Sequence, residues 1–268
     1  TQELKSKGAK QQRNGVAKIT EEGVTFRSYR DGSPLLLTPE SSIGAQKKIG
    51  ADIIVSFDEL PPYHTDIRKL KKSLERTHRW EKRSLDAHKA DARNQALYAV
   101  VHGGVDKDMR SQSAQYLSSL PFDGYGIGGS VGKDRVEMRE MIAHTAPQLP
   151  EDKPIHLLGI GDIPSIELAV PLGIDTFDSS HPTKCARHGL LFTAQGSVRI
   201  TQSKYATLQG PIENGCRCYT CSHYSVSYIH HLFKAHELTY YTLASIHNIA
   251  FMMRLMERYR TAIMNDQV

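Results

Sequence analysis

The segment that decides the fold begins with DIIVSF (Asp52–Phe57) and ends with ALYAVV (Ala96–Val101). Both are short, continuous apolar runs, which are typical of strands buried on both faces of a parallel sheet. Between them, residues 66–93 place apolar side chains near helical spacing, which predicts a crossover helix. The segment is therefore interpreted as a β-α-β unit.

The same alternation continues along the chain. Further strands are predicted at Gly124–Ile127, Ile155–Ile160 and Thr176–Phe177, and further helices at 106–120, 134–146 and 163–171. An Asp-Gly pair at positions 31 and 32 predicts a β-hairpin before the first unit. We therefore expect an α/β fold, a (β/α)8 TIM barrel. No G-x-G-x-x-G segment followed by a helix and a ribose-binding acid is present, so a dinucleotide-binding fold is not supported.

Composition excludes several classes of protein. The chain has 268 residues, of which 39% are hydrophobic and 24% charged, as in ordinary globular proteins and unlike disordered ones. Every apolar run is shorter than the ~20 residues of a membrane span, and no charged-then-apolar leader opens the sequence. These features predict a cytoplasmic protein.

One predicted helix carries most of the excess positive charge. From Arg68 to Arg93 there are ten Lys or Arg residues and four acidic ones, whereas the whole chain has a net charge of +5. A solvated helix face explains such a run in most proteins. A surface that binds phosphate groups is the alternative.

Three of the four cysteines lie in the segment C-R-C-Y-T-C, at Cys216, Cys218 and Cys221. Their spacing suits tetrahedral zinc better than a disulfide, and a structural site needs one more ligand. Spacing alone leaves five candidates for that ligand: His223, His230, His231, His236 and His247. Because helical patterns at 224–238 and 247–264 follow, we predict a TIM-barrel catalytic portion at 1–205 and a zinc-binding helical subdomain at 206–268.

Polar or glycine residues follow each predicted strand. They include Asp58, His102, Gly129 with Ser130, Gly159, and Asp178. Each one alone is explained by a turn or a helix cap. Five in succession favour an active site, because the carboxyl ends of parallel strands form the active face of a barrel.

Several longer motifs resemble the queuine tRNA-ribosyltransferase family, the tRNA-guanine transglycosylases. They are EEGVTFRSYRDGS (21–33), LTPESSI (37–43), ADIIVSFDELPPY (51–63), FDGYGIGGS (122–130), LLGIG (157–161), GIDTFDSSHPTKCARHG (173–189), CRCYTC (216–221), YIHHL (228–232) and IHNIAF (246–251). They cover nearly the whole chain in collinear order.

The resemblance implies exchange of guanine at the wobble position of a tRNA anticodon for a free 7-deazaguanine base, either queuine or 7-aminomethyl-7-deazaguanine. It also implies one structural Zn²⁺ ion and a homodimer. By position, Asp178 matches the family nucleophile, which forms a covalent ribosyl intermediate, and Asp58 matches the carboxylate that recognises the purine edge. The other implied residues are His102, Gly129, Ser130, Leu158 and Gly159 for the base, Lys184 and Arg187 for tRNA, and Cys216, Cys218, Cys221 and His247 for zinc.

The sequence departs from the family pattern in three places. His102 stands where the family usually has a glutamine that binds the base. Gly132 replaces a bulkier residue, and small residues there accompany the use of queuine. The family's upstream D-S-G-G segment, whose Asp is a proposed general acid/base, is absent, and only five or six strands are predicted against the eight of a closed barrel. We therefore expect an amino-terminally shortened chain that is inactive or poorly stable by itself.

Two other functions compete with the enzyme. The first is a non-catalytic, zinc-containing, tRNA-binding accessory subunit of the same family, which need not keep a nucleophile; the presence of Asp58 and Asp178 argues against it. The second is a zinc-stabilised interaction module without a nucleic-acid partner. It leaves the carboxylates at the strand ends without a role.

Overall fold

A five-stranded parallel sheet is the main element of the first of two compact units in the computed structural model, which describes residues 16–267. The strands are β4 (Ile53–Val55), β5 (Ala96–Val101), β6 (Gly124–Ile127), β7 (Ile155–Leu157) and β8 (Thr176–Phe177). They are neighbours in the sheet in the order in which they follow one another in the chain. A doubly wound sheet would reverse this order at one point. The sequential order confirms the predicted fold, an incomplete TIM barrel.

The helices of the first unit follow the predicted alternation. Three of them were predicted: α2 (Ile67–Lys89), α3 (Lys107–Ser118) and α4 (Arg135–Thr145). The helix α1 (Pro39–Ile49), which precedes β4, was not predicted. An aspartate begins each of α2, α3 and α4, because its side chain accepts a hydrogen bond from a backbone N–H of the first turn; these residues are Asp66, Asp106 and Asp134. The predicted helices are confirmed with small shifts at their ends.

A three-stranded antiparallel sheet precedes α1. It consists of β1 (Val16–Ile19), β2 (Val24–Arg27) and β3 (Pro34–Leu37), with β2 in the middle. The turn at Asp31-Gly32 joins β2 to β3, which confirms the predicted hairpin. Gly32 has a φ of 74°, a left-handed conformation that glycine adopts without strain.

The second unit comprises Gly159–Pro171 and the described residues from Asp178 onwards; Leu172–Phe177 belong to the first unit. Its helices are α5 (Ile163–Ala169), α6 (His181–Arg187), α7 (Tyr219–His223), α8 (Val226–Lys234) and α9 (Leu238–Met264), and β9 (Leu190–Leu191) pairs with β10 (Val198–Arg199). Its core contains Leu191, Ile229 and Leu243.

The last helix is longer than the sequence pattern predicts. It begins at Leu238 rather than at His247, because Tyr240, Leu243 and Ala244 extend the buried apolar face by two turns. His247 therefore lies inside α9 and not at its start, which corrects the prediction. Among the described residues, the helices are all too short or too polar to cross a membrane.

Candidate functional site

Asp58 and His102 form a pair at the carboxyl ends of β4 and β5. The Oδ2 atom of Asp58 lies 2.7 Å from Nε2 of His102. An ionised carboxylate can only accept, so Nε2 of His102 carries the proton that is shared in this bond. The His102 side chain is only 3% exposed, whereas that of Asp58 is 31% exposed. The carboxylate therefore reaches solvent while the imidazole holds it from the interior.

Gly129 and Ser130 follow β6, beside this pair. Gly129 has a φ of 73°, and a Cβ atom at this position would lie 3.1 Å from Nδ1 of His102. Only glycine therefore allows the loop to approach the imidazole so closely. The structure brings His102, Gly129 and Asp58 together; contact of any of them with a base remains a prediction.

Arg110 fixes the two loops that carry His102 and Gly129, a role that sequence reasoning missed. Its guanidinium donates to the carbonyl oxygens of Gly104 at 2.7 Å, Gly128 at 3.0 Å and Ser130 at 3.2 Å. Burial lowers the pKa of Arg110 to about 10, so the side chain stays charged at pH 7. A signal did exist, since Arg110 shares a helical face with the buried Ala114 and Leu117.

Gly132 has a steric reason to be glycine. Its φ is 133°, and a Cβ atom there would lie 2.9 Å from both the Cβ of Glu137 and the backbone nitrogen of Met138. The close approach of α4 therefore already requires glycine at this position, whatever base is bound. The use of queuine, predicted from the small residue, stays a prediction.

Leu158 ends the first unit and packs on the glycines of β6 and its loop. A Cβ atom at Gly126 or at Gly128 would lie 3.1 Å from Cδ1 of Leu158. The absence of side chains at these two positions leaves the room that Leu158 fills. At Gly124 the neighbour is a different residue, since a Cβ atom there would lie 2.6 Å from ring atoms of Tyr98.

In the second unit, Asp178 follows β8 directly in the chain. The residue is exposed, and its Oδ1 atom accepts a hydrogen bond of 2.7 Å from the backbone N–H of Gly159. The predicted nucleophile and Gly159, a residue predicted to contact the base, are thus neighbours.

Helix α6 presents the two predicted tRNA-contacting residues. Lys184 and Arg187 are exposed, whereas Ala186 is buried in the core of the second unit. The Tyr240 hydroxyl donates to the carbonyl oxygen of Ala186 at 2.9 Å, and the ring of His181 stacks on Phe192. These contacts anchor α6 so that both cationic side chains point into solvent.

The basic face of α2 is smaller than the sequence count suggests. Arg76, Arg79, Lys82 and Arg83 form ion pairs with Glu59, Glu21, Asp86 and Glu40, respectively. The exposed basic residues at the start of the helix are Arg68, Lys69, Lys71 and Lys72. Sequence composition counts charges but does not show which of them are paired within the protein.

A group of three thiols and one imidazole forms a candidate metal site in the second unit. Cys216, Cys218, Cys221 and His247 place their ligand atoms within 4.8 Å of one another. Nδ1 of His247 lies 3.8, 3.6 and 3.3 Å from the three sulfur atoms. Tetrahedral zinc with ordinary Zn–S and Zn–N bonds separates sulfur from nitrogen by about 3.6 Å, so the donor set fits this ion.

Surrounding groups orient these ligands. Nε2 of His247 lies 2.8 Å from the carbonyl oxygen of Phe192 and donates to it, which leaves Nδ1 free to bind a metal. Burial lowers the pKa of His247, which favours the neutral imidazole that metals require. Arg254 donates to the sulfur of Cys216 at 3.1 Å and to Glu213 at 2.6 Å. The bond to Glu213 holds the guanidinium of Arg254 beside the sulfur of Cys216.

The histidine that spacing alone left open is thereby assigned. Among the described residues, His247 is the one that joins the three cysteines. Two other candidates have backbone partners instead: Nδ1 of His230 lies 2.6 Å from the carbonyl oxygen of Ile200, and Nδ1 of His223 lies 2.8 Å from that of Tyr219.

Comparison with known proteins gives a consistent result. The family model described as Queuine tRNA-ribosyltransferase matches residues 4–268. Relatives that bear the same name occur in Protochlamydia amoebophila, with 63% identity over 99% of this chain and 69% of the relative, and in Chlamydia felis, with 48% identity over 100% and 72%. A third, from Chlamydia muridarum, is 49% identical over 100% of this chain and 72% of its own length.

Proposed function

The chain belongs to the queuine tRNA-ribosyltransferase family, and we propose that it exchanges guanine at the wobble position of a tRNA anticodon for a 7-deazaguanine base. The observation that carries this proposal is the solvent-accessible carboxylate of Asp58, held by His102 at the carboxyl end of the parallel sheet. Such a carboxylate accepts hydrogen bonds from the N1–H and 2-amino groups of a guanine edge, and adenine lacks that edge.

Asp178 is the proposed nucleophile. Its carboxylate attacks C1′ of the wobble nucleoside, the C1′–N9 bond breaks, and guanine leaves with the bonding electron pair and takes up a proton. The incoming base then loses its N9 proton and displaces Asp178 from C1′. One glycosidic bond is broken and one is formed, so the exchange needs no external energy source. The exposure of Asp178 and its bond from Gly159 N–H support this role.

The basic surfaces are proposed to bind the phosphates of tRNA. Lys184 and Arg187 on α6 are exposed, as are Arg68, Lys69 and Lys72 on α2. Phosphate contacts position an RNA without reading its sequence, and their strength falls with added salt. The target nucleotide must also be turned out of the anticodon loop before Asp58 can contact its base.

Zinc is proposed as the ion held by Cys216, Cys218, Cys221 and His247. Four protein ligands leave no open coordination position, so its role would be structural. We propose that it holds the segment before α7 against α9, within the predicted subdomain 206–268.

The remaining predictions concern assembly, location and the base used. A homodimer is proposed from the family resemblance; in the second unit Tyr219 and Tyr228 are exposed, and Tyr228 stacks on the half-buried Tyr224 at 5.3 Å. Light scattering on the purified protein tests this state.

The predicted location is the cytoplasm, the compartment of its tRNA substrate. Parallel assays with queuine and with 7-aminomethyl-7-deazaguanine decide which base is incorporated.

The decisive experiment follows labelled guanine into tRNA and traps the covalent intermediate. Incorporation by this chain would overturn the expectation, drawn from the absent D-S-G-G segment, that it is inactive by itself. It should come with a protein–RNA adduct that survives denaturation and disappears in Asp178→Asn. Asp152→Asn, at an exposed loop position, is the matched control and should keep both signals. Salt-sensitive tRNA binding without exchange or adduct would instead support the accessory-subunit function.

A further inference from the structure

The buried polar face of α2 lies behind Asp58 and has no part in the chemistry proposed above. We infer that Thr77, Glu81 and Ser84 of this helix are positioning residues for the base-recognising carboxylate of Asp58. This inference rests on the proposed function of Asp58. It assigns to α2 a role in base recognition, in addition to the phosphate binding proposed for its basic residues.

The three side chains share one face of the helix and are fully buried. Their spacing of four and three residues places them above one another along α2. Each is 0% exposed. Burial of a hydroxyl or a carboxyl is unfavourable unless the group finds hydrogen-bond partners, so their contacts indicate what this face is for.

Two of the contacts fall on either side of Asp58. The backbone N–H of Phe57 donates to Oγ of Ser84, and the backbone N–H of Glu59 donates to Oγ1 of Thr77, both at 3.1 Å. The peptide groups before and after Asp58 are therefore both held by the helix. This double attachment fixes the direction in which the Asp58 side chain leaves the backbone.

Glu81 acts where the strand departs from the sheet. The N–H of Ser56 still donates to Tyr98 of β5 at 2.9 Å, but beyond this point the two strands separate. Oε1 of Glu81 accepts from the N–H of Val100 at 2.6 Å and from Oγ of Ser56 at 3.2 Å. The carboxyl group thus satisfies an amide of β5 that has lost its neighbouring strand.

The protonation state of Glu81 suits this place. Burial raises the pKa of Glu81 well above its usual range, and among the described residues its Oε2 atom has no hydrogen-bond partner. A neutral carboxylic acid here adds no negative charge beside Asp58. The nearby charge of Asp58 contributes to the raised pKa of Glu81.

Further contacts hold the same segment. Arg76 of α2 pairs with Glu59 at 2.8 Å, and the ring of Phe57 stacks on Trp80 with a centroid distance of 4.9 Å. His102 holds the carboxylate from the β5 side. A recognition group needs such support, since small displacements weaken directional hydrogen bonds.

The test measures how well the protein selects guanine over hypoxanthine, which lacks the 2-amino group. The double variant Thr77→Val/Ser84→Ala removes both acceptors with little change in volume. We expect the KM for guanine to rise about tenfold and the selectivity to fall in proportion, because directional bonds to Asp58 are lost. The KM for tRNA should stay unchanged. Thr77→Ser and Glu81→Gln, which keep the acceptors, should remain within about twofold of the parent.

Two reference variants separate the positioning role of α2 from the proposed function of Asp58 itself. Ser73→Ala removes a buried hydroxyl of the same helix that has no partner among the described residues, so it should leave the selectivity unchanged. Asp58→Asn should abolish the selectivity. If it does not, the proposed function of Asp58 is wrong. If Asp58→Asn abolishes selectivity but the double variant keeps it, the positioning role is overturned.

Folding is checked through Trp80, the single tryptophan of the chain, whose ring touches Phe57 next to Asp58. If the double variant fails to fold, the single substitutions Thr77→Val and Ser84→Ala replace it, and each should raise the guanine KM about threefold. A fall in thermal stability with unchanged selectivity in both would show a purely structural role and refute the inference.

Discussion

The surroundings of Asp58 in the first unit and the cysteine cluster in the second represent two ways to fix a group in space. The side chain of Asp58 is held by His102, which follows β5, and the backbone N–H groups of its neighbours Phe57 and Glu59 donate to Ser84 and Thr77 of α2. The cluster gathers four strong donors, three of them from one six-residue segment. The first arrangement depends on burial, because an unmet buried polar group is costly. The second depends on an ion.

Removal of one metal ligand should produce the largest effect in either region. We expect Cys218→Ser to lower the zinc content from one ion per chain to nearly none. Because metal binding and folding are linked, the free energy of unfolding of the second unit should fall by on the order of 5 kcal/mol. Elemental analysis and thermal unfolding followed by circular dichroism measure the two quantities. Cys185→Ser, outside the cluster, is the control and should keep its zinc.

In the first unit, the substitution that we expect to destabilise the fold most is Arg110→Met. This substitution keeps the length of the side chain but removes the donors to the carbonyls of Gly104, Gly128 and Ser130. Loss of the hydrogen bonds from this fully buried guanidinium should cost about 3 kcal/mol of the free energy of unfolding. Chemical denaturation measures this value. Arg139→Met, at an exposed position of α4, should change it by less than about 0.5 kcal/mol.

The contrast also explains what the sequence could reveal. The residue type and spacing of the three cysteines predict a metal site. Spacing left five candidates for the histidine, and the family resemblance identified His247 among them. The hydroxyls of Thr77 and Ser84 give no such signal, since any buried Ser or Thr can serve a turn, a cap or a strand. Their partners are backbone amides, which every residue carries. Only the fold shows that these amides flank Asp58.

The alternation of strands and helices was predictable for a related reason. Apolar runs such as ALYAVV (Ala96–Val101) are buried on both sides, so local pattern and tertiary position agree. The start of α9 was misplaced because residues 238–246 contain polar and aromatic side chains that hide a helical face. The pairing of Arg79 with Glu21, which lies 58 residues earlier, could not be deduced from composition.

Lowering the pH should reduce the free energy of unfolding of the first unit, because His78 becomes protonated more readily in the unfolded chain. Burial lowers the pKa of His78 to about 4, whereas the unfolded chain protonates near 6.5. The unfolded state therefore binds more protons below pH 6.5, and stability is lost as the pH falls from about 6.5 to about 4, by up to ~3 kcal/mol. His78→Phe, which keeps a ring beside Tyr116, should remove this part of the pH dependence. His64→Gln, at an exposed position, should leave it unchanged.

Unfolding curves at pH 4.5, 5.5 and 7 test this effect. If the parent and His78→Phe lose stability in parallel across these values, His78 does not account for the acid sensitivity of the first unit.

The smallest loss of unfolding free energy is expected for a solvent-exposed hydrogen-bonded ion pair. Glu40 accepts two hydrogen bonds from Arg83, at 2.7 and 2.8 Å, and these bonds lower the pKa of Glu40 to about 2. The stabilisation is present above pH 4.5 and is lost as the pH falls towards 2, because the folded state holds the carboxylate ionised. The Glu40 side chain is 49% exposed, so water and salt screen the pair.

Glu40→Gln should therefore cost less than about 0.5 kcal/mol at pH 7, and 1 M NaCl should remove most of that. Denaturant titrations of this variant beside Arg110→Met compare an exposed with a buried set of hydrogen bonds on the same scaffold. Equal losses would mean that burial is not what gives the polar contacts around Asp58 their strength. A severalfold larger loss for Arg110→Met, insensitive to salt, would tie their strength to the exclusion of water.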